Sequence, residues 1–284
     1  MALRIRLLAI DVDGTLLNSE FRISDANRRA IAAARERGVE IVLVTGRRFA
    51  IVQPIAAQLA CEPTVLASNG AIIKDLRGLT LHRQLLPALQ ARVVLATTGP
   101  WRKHALLLFD REGQGQVVAE SLDPAHAPVG GYFERNRPYL QQVVPLEAAL
   151  TEDPIEVLFI GPVEPIRRLE QHLRAAPVAA QVSMALTEYP RHDLSLLDVL
   201  DLGCNKGAAL ARWAAARGIR ADEVMAIGDN WNDREMLEFA GLPVLMANSS
   251  EELKRTGWAV TASNDENGVA AAIEKHLLAG WRDV

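Results

Sequence analysis

Cysteine is almost missing from this chain: Cys61 and Cys204 are the only two in 284 residues, and no Cys-x-x-Cys pair occurs. That excludes a disulfide framework and a thiolate zinc site, and it suits a reducing cytoplasm, so both read as small core residues. Aromatic residues are also few, at 5%, and no apolar run approaches the roughly 20 residues needed to cross a bilayer. The apolar stretch before Asp11 is too short for a secretory signal, so a cytoplasmic location with no membrane partner is expected. Neither sign of charge dominates, with 31 basic and 35 acidic residues, and no basic run of the kind that tracks a phosphate backbone is present. Nucleic acid is therefore not an expected partner. What remains is an ordinary globular composition, 49% hydrophobic, on a chain longer than one domain of roughly 100 to 200 residues. A core domain carrying an insertion fits that length.

The richest stretch is Leu7-Leu8-Ala9-Ile10-Asp11-Val12-Asp13-Gly14-Thr15-Leu16, an apolar strand that ends in two carboxylates and a glycine. A buried parallel strand reads as a continuous apolar run, and acids at its C-terminal end lie where open α/β sheets place their ligand crevice. Residues i and i+2 of an extended segment share a face, so Asp11 and Asp13 can point at one small object. Two like charges so close call for a proton or a hard divalent ion between them. An ordinary strand followed by an Asp-Gly turn would look similar.

Further along, strand and helix alternate as in a parallel sheet. Ser24 caps a helix that stops at Gly38, residues 40–44 form a strand ending at Thr45-Gly46-Arg47, residues 49–59 a helix, and residues 64–67 a strand ending at Ser68-Asn69-Gly70. From about 84 to 190 the texture changes: prolines are frequent, and strands over 104–109, 116–119, 155–160 and 180–186 with a helix over 164–175 suggest an inserted α/β domain with an antiparallel sheet. The parallel pattern then returns, with helices over 205–217, 234–239 and 269–278 and strands over 223–227 and 243–246. The strand over 223–227 ends at Gly228-Asp229-Asn230-Trp231-Asn232-Asp233, a second acidic tip for the same edge. Only five of the 31 basic residues are lysines, and one of these, Lys206, opens a helix, where the dipole disfavours a cation unless an anion lies nearby.

In this order the segments Asp11 to Leu16, Thr45-Gly46-Arg47, Ser68-Asn69-Gly70-Ala71, Asn205-Lys206-Gly207 and Gly228 to Asp233 resemble the haloacid dehalogenase superfamily. More narrowly they resemble its Cof-type sugar-phosphate phosphatases, which carry a large inserted cap. Ala247 to Lys254 and Asn264 to Val269 are similar to that group's C-terminal segments. The resemblance implies a doubly wound, Rossmann-like parallel-sheet core over 1–83 and 191–284, with an α/β cap domain over 84–190 that matches no motif. It also implies phosphoester chemistry that wants a nucleophile, a metal and charge neutralisation together. Asp11 would attack phosphorus to give an aspartyl-phosphate, and Asp13 would protonate the leaving alcohol and later deprotonate water. Asp11, the Asp13 carbonyl and Asp229 would hold Mg²⁺, with Asp233 as a further ligand or as a support for that shell. Lys206 would neutralise the nucleophile and the phosphoryl oxygens, and Thr45, Gly46, Arg47, Asn69 and Asn232 would surround the phosphate.

On the residues themselves, Arg47 could equally bridge to a structural carboxylate, and Asn69-Gly70 could simply close a hairpin. Asn248 reads as a loop-fixing or cap-closing residue. In the cap Trp101, Arg102, Lys103, His104, Tyr132, Arg191 and His192 are polar or aromatic near segment ends, and a solvated surface role suits each. The expected partner is a small phosphorylated metabolite, most simply a sugar phosphate, acted on by a monomer or small homo-oligomer. A phosphomutase of the same superfamily or a non-catalytic phospho-ligand binding protein are the alternatives. A dinucleotide oxidoreductase is excluded because no Gly-x-Gly-x-x-Gly follows the first strand.

Overall fold

A computed structural model describes residues 5–123 and 127–279. The first stretch lays down β1 (Leu7–Asp11), α1 (Asp25–Glu36), β2 (Glu40–Val44), α2 (Phe49–Ala56), β3 (Thr64–Ala67), β4 (Ile72–Lys74) and β5 (Thr80–Arg83). The inserted part follows with α3 (Ala88–Thr97), β6 (Ala105–Leu108), β7 (Val117–Ala119), α4 (Ala127–Asn136), β8 (Leu140–Gln142), β9 (Glu156–Gly161), α5 (Val163–Ala175), β10 (Val182–Tyr189) and β11 (Leu194–Asp201). The chain closes with α6 (Lys206–Ala216), β12 (Val224–Gly228), α7 (Arg234–Phe239), β13 (Leu242–Leu245), α8 (Glu251–Lys254), β14 (Ala259–Val260) and α9 (Gly268–Ile273), the last running on as a π-helical turn over Glu274–Leu278.

The chain divides into two compact units, one running to Arg83 and resuming at Asn205, the other spanning Gln84–Cys204. The first is an eight-stranded sheet in the order β14-β13-β12-β1-β2-β3-β4-β5. From β14 to β3 every pairing is parallel; β4 and β5 add an antiparallel edge, which the apolar run 71–73 and the Asn69-Gly70 turn foreshadow. All five residues of β1 are buried, as both-face coverage requires. Leu7 and Ala9 pack with Val42, Val44, Leu66 and the α6 residues Leu210 and Trp213. By the strand's two-residue alternation Leu8 and Ile10 face the opposite layer. α1 and α9 pack on one another, joined where buried Asn27 Oδ1 accepts from Ala270 N at 3.0 Å. Ser24 caps α1 as expected, its side chain accepting from Asn27 N.

The second unit is a six-stranded sheet, β10-β11-β9-β6-β7-β8, antiparallel except for the β7–β8 pair. Leu107, Phe109, Val157, Phe159, Leu197 and Val199 form its core with Ile166, Leu169 and Leu173 of α5. The return to the core falls at Asn205 rather than at 191. The segment 194–201 is a full strand, pairing with β10 from Val182↔Asp201 to Tyr189↔Leu194 and with β9 on its other side. Its polar interruptions, Ser195 and Asp198, hid the alternation that marks a strand.

Candidate active site

Parallel pairing puts the C-terminal ends of β1, β2, β3, β12 and β13 on one edge, and β1 sits where the strand order reverses, between β2 and β12. Asp11 is the last residue of β1, Thr45 follows β2, Ser68 follows β3, and Asp229 follows β12. Residues up to 218 positions apart in sequence thus meet at one place.

Lys206 reaches that place from the first turn of α6, whose cap is Asn205 Oδ1 accepting from Ala208 N at 2.8 Å. Gly207 lets this helix end press on α7, since a Cβ there would lie 2.4 Å from the Glu235 carbonyl oxygen. Lys206 is left 1% exposed, and its Nζ donates to Asp11 Oδ1 at 2.7 Å and to Asp233 Oδ1 at 2.6 Å. Asp233 Oδ2 accepts from the backbone N–H groups of Asp229 and Asn230, at 3.0 and 3.1 Å. Both of its oxygens are therefore engaged in holding the loop and the lysine. Burial lowers the lysine's pKa, but the Asp11 and Asp233 charges override it and hold the pKa above the ordinary value.

The carboxylates carry the opposite imbalance. Burial, reinforced by the Asp233 charge, outweighs Lys206 and pushes Asp11 up to about 7. Burial and then the Asp11 and Asp233 charges push Asp229 well above the usual range, against a hydrogen bond from Thr15 Oγ1 at 3.0 Å. Asp11, Asp229 and Asp233 each offer an oxygen within 4.8 Å of the others. One lysine cannot balance two buried acids and a half-buried third, and a cluster of hard oxygen donors short of positive charge fits a divalent ion such as Mg²⁺.

Asp13 is not in that cluster. β1 ends at Asp11 and the chain turns at Gly14 (φ +78°), so the Asp13 carboxylate meets Arg47 instead: Nε donates to Oδ2 at 2.7 Å and Nη2 to Oδ1 at 2.5 Å. The extended strand that the shared-face argument assumes stops at Asp11, yet Asp13 stays near enough for its charge to act on Asp11. Of the two readings of Arg47, the carboxylate bridge is the one seen. Thr45 is buried and its Oγ1 accepts from Arg47 N at 3.0 Å, which leaves the hydroxyl proton available as a donor. The Thr45-Gly46-Arg47 loop is clasped to the next strand tip by Ser68 N on Arg47 O and Asn69 N on Thr45 O, both at 2.9 Å. Gly46 faces the Asn69 amide, 3.2 Å from its Oδ1 to a Cβ built on the glycine. Asn69, at φ +53°, closes the turn from β3 into β4, as the hairpin reading of Asn69-Gly70 expects. Asn232 is half-buried in the turn Trp231–Asp233.

Two contacts had no clear sequence signal. Thr15 sits inside the opening run with no role of its own there, and Asn248 reads as a loop-fixing or cap-closing residue; Thr15 bonds to Asp229, and Asn248 Nδ2 lies 3.5 Å from it. Several cap residues serve their own unit: Arg102 is held by Glu120 and Glu147, His104 Nδ1 meets the Ile160 carbonyl at 3.1 Å, and the Trp101 ring lies 5.2 Å from that of His172. Arg191 and His192 are exposed in a single 3₁₀ turn. Cys61 and Cys204 are free and buried. No helix among the described residues is long and apolar enough to cross a membrane.

A doubly wound sheet thus gathers at its switch point a lysine-paired aspartate and an acidic cluster that could hold a metal ion. The chain belongs to the haloacid dehalogenase-like hydrolases, whose family model matches residues 8–273. It is 34% identical to the HMP-PP phosphatase of Serratia proteamaculans over 252 residues, covering 88% of this chain and 86% of that one. It is 28% identical to the pyridoxal phosphate phosphatase YbhA of Escherichia coli, covering 96% and 99%. A haloacid dehalogenase-like hydrolase from Bacteroides thetaiotaomicron superimposes with a TM-score of 0.79 at 26% identity, covering 96% of this chain and 99% of that one.

Proposed function

We propose that this protein is a Mg²⁺-dependent phosphatase that hydrolyses a small phosphorylated metabolite through an aspartyl-phosphate on Asp11. The observation that carries the reading is the buried contact of Asp11 with Lys206 at 2.7 Å beside two further carboxylates. Asp11 Oδ attacks phosphorus while the bond from phosphorus to the leaving alcohol oxygen breaks, and Asp13 gives that oxygen its proton. Asp13 then takes a proton from water, whose oxygen attacks phosphorus, freeing Asp11 and inorganic phosphate. Arg47 orients Asp13 between these two duties, and its fork fixes the carboxylate plane. Lys206 holds Asp11 in place and offsets the charge that builds on the phosphoryl oxygens, with the Thr45 hydroxyl donating alongside it. Asp11, the Asp13 carbonyl and Asp229 would hold Mg²⁺, which when bound supplies charge neutralisation at the phosphoryl group. Asp233 orients Lys206 and the Asp229 loop, because its oxygens already accept three hydrogen bonds.

The substrate reading starts from sugar phosphates. Trp231 favours a second class: the residue is 39% exposed and stands two positions after Asp229, where an aromatic leaving group could stack. One relative carries the name pyridoxal phosphate phosphatase, which matches that chemistry. The test is phosphate release from p-nitrophenyl phosphate, a panel of sugar phosphates and pyridoxal phosphate, with Mg²⁺ or EDTA, for wild type and Asp11→Asn. Turnover that needs both Mg²⁺ and Asp11 supports the reading, and the panel ranks the two substrate classes. Transfer of the phosphoryl group to a second position on the substrate would move it to a mutase, and binding without release to a phospho-ligand binding protein.

A further inference from the structure

We infer that Asn248 is a positioning residue for the cation site, a role that rests on the Mg²⁺ reading above. Asn248 is exposed in the loop between β13 and α8, and an exposed loop side chain ordinarily has no fixed partner. Here every end of the amide is used. Oδ1 accepts from Asn264 N at 3.0 Å, Nδ2 donates to the Gly14 carbonyl at 2.9 Å, and the same Nδ2 lies 3.5 Å from Asp229 Oδ2, at the outer limit of a hydrogen bond.

The orientation of the amide follows from its surroundings. A backbone N–H can only donate, so Asn264 fixes the oxygen end, and the NH₂ end has to face the carbonyl of Gly14 and the carboxylate of Asp229. Asn264 is itself anchored, its Nδ2 donating to the Leu17 carbonyl at 3.0 Å, and Ser19 N donates to Asp265 in the same loop at 2.8 Å. On the other side Thr15 Oγ1 donates to Asp229 Oδ1 at 3.0 Å. The two oxygens of Asp229 are thus each approached by a neutral donor from a different segment. Gly14 completes the clamp, because a Cβ there would fall 2.4 Å from Asp229 Oδ2.

Asp229 is one of the three acids that crowd the site, and neutral donors aim its oxygens without adding charge. Partners that orient a metal-binding carboxylate are typically worth about 10- to 100-fold in metal affinity. Because Asn248 is exposed, the same contacts carry little of the fold's stability. The two effects can be separated by measurement.

The experiment is calorimetric titration of the full chain with Mg²⁺ alone, without substrate, together with thermal unfolding in EDTA. The proteins are wild type, Asn248→Leu, Asn248→Ala and Ser250→Ala. Ser250 caps the helix after the same loop by accepting from Leu253 N at 3.3 Å, so its loss weakens the loop without touching Asp229. We expect both Asn248 variants to bind Mg²⁺ about tenfold or more weakly while unfolding near the wild-type temperature. Ser250→Ala should unfold earlier and keep wild-type affinity. An unchanged Mg²⁺ affinity in both Asn248 variants overturns the inference, and so does an equal loss in Ser250→Ala, which would assign the effect to loop stability. A wild-type protein that takes up no Mg²⁺ removes the cation reading itself and the inference with it, a failure distinct from any variant result.

Discussion

Replacing Lys206 with methionine keeps the side-chain volume and removes the one cation buried among the site's acids. In the wild type the ammonium sits 2.7 Å from Asp11 and 2.6 Å from Asp233, and both partners are as buried as the lysine. Breaking a buried pair by removing one partner costs about 3–5 kcal/mol, because the remaining charge is left uncompensated. The loss should depend on pH, in a direction that Asp11 fixes. Its carboxyl is already raised to about 7 by burial and by Asp233. An acid whose folded pKa lies above its unfolded one contributes stability that is complete below the unfolded value, near 4, and is lost as pH rises through the folded value. Without Lys206 the folded value rises further, so Lys206→Met should lose the full amount at pH 8. At pH 5, where Asp11 holds its proton, it should lose less than about half of that. Urea unfolding in EDTA at the two pH values measures it, and phosphate release should be abolished at both. An equal loss at pH 5 and pH 8, or a loss under about 1 kcal/mol as for an exposed pair, would refute the reasoning.

Other outcomes follow from the same geometry. Protons on Asp11 and Asp229 compete with a cation, so the rise in unfolding temperature caused by Mg²⁺ should be large at pH 8 and small at pH 5.5; equal rises would mean that these carboxyls are ionised throughout. Gly14→Ala places a Cβ 2.4 Å from Asp229 Oδ2 at φ +78°, whereas Gly38→Ala meets nothing within 4 Å at φ +82°. Each should lose about 1 kcal/mol to backbone strain, and only Gly14→Ala should lose a further ~1–2 kcal/mol together with Mg²⁺ affinity. Denaturant unfolding of the pair isolates the contact. Arg47→Ala should lower kcat by about 10- to 100-fold with little change in KM, since the fork orients Asp13; a rise in KM at constant kcat would instead make Arg47 a phosphate ligand.

Much of the core was legible in the sequence because local signals and the fold agree. Apolar runs gave β1, β2, β3 and β12, and Ser24 and Gly38 marked helix ends. Each acidic or polar tip follows an apolar strand, so parallel pairing alone brings Asp11, Thr45 and Asp229 to one edge. The inserted unit was less legible. α3 has a weakly sided pattern and β11 is broken by Ser195 and Asp198, so neither declares its period, and both are held by the sheet and core around them.

By itself, then, the sequence determined the family and which strands end in polar or acidic tips on one edge, and it put forward Asp11, Lys206, Asp229 and Asp233 as candidates, because these depend on spacing along elements whose type is locally encoded. Only the tertiary structure decided which acid meets which base. Asp13 turns to Arg47, 34 positions away, Lys206 takes Asp233 as a second partner beside Asp11, and Thr15 and Asn248 converge on Asp229. Such pairings are set by the sheet register and by backbone turns such as that at Gly14, and a contact across more than 200 residues leaves no trace in the spacing of either partner.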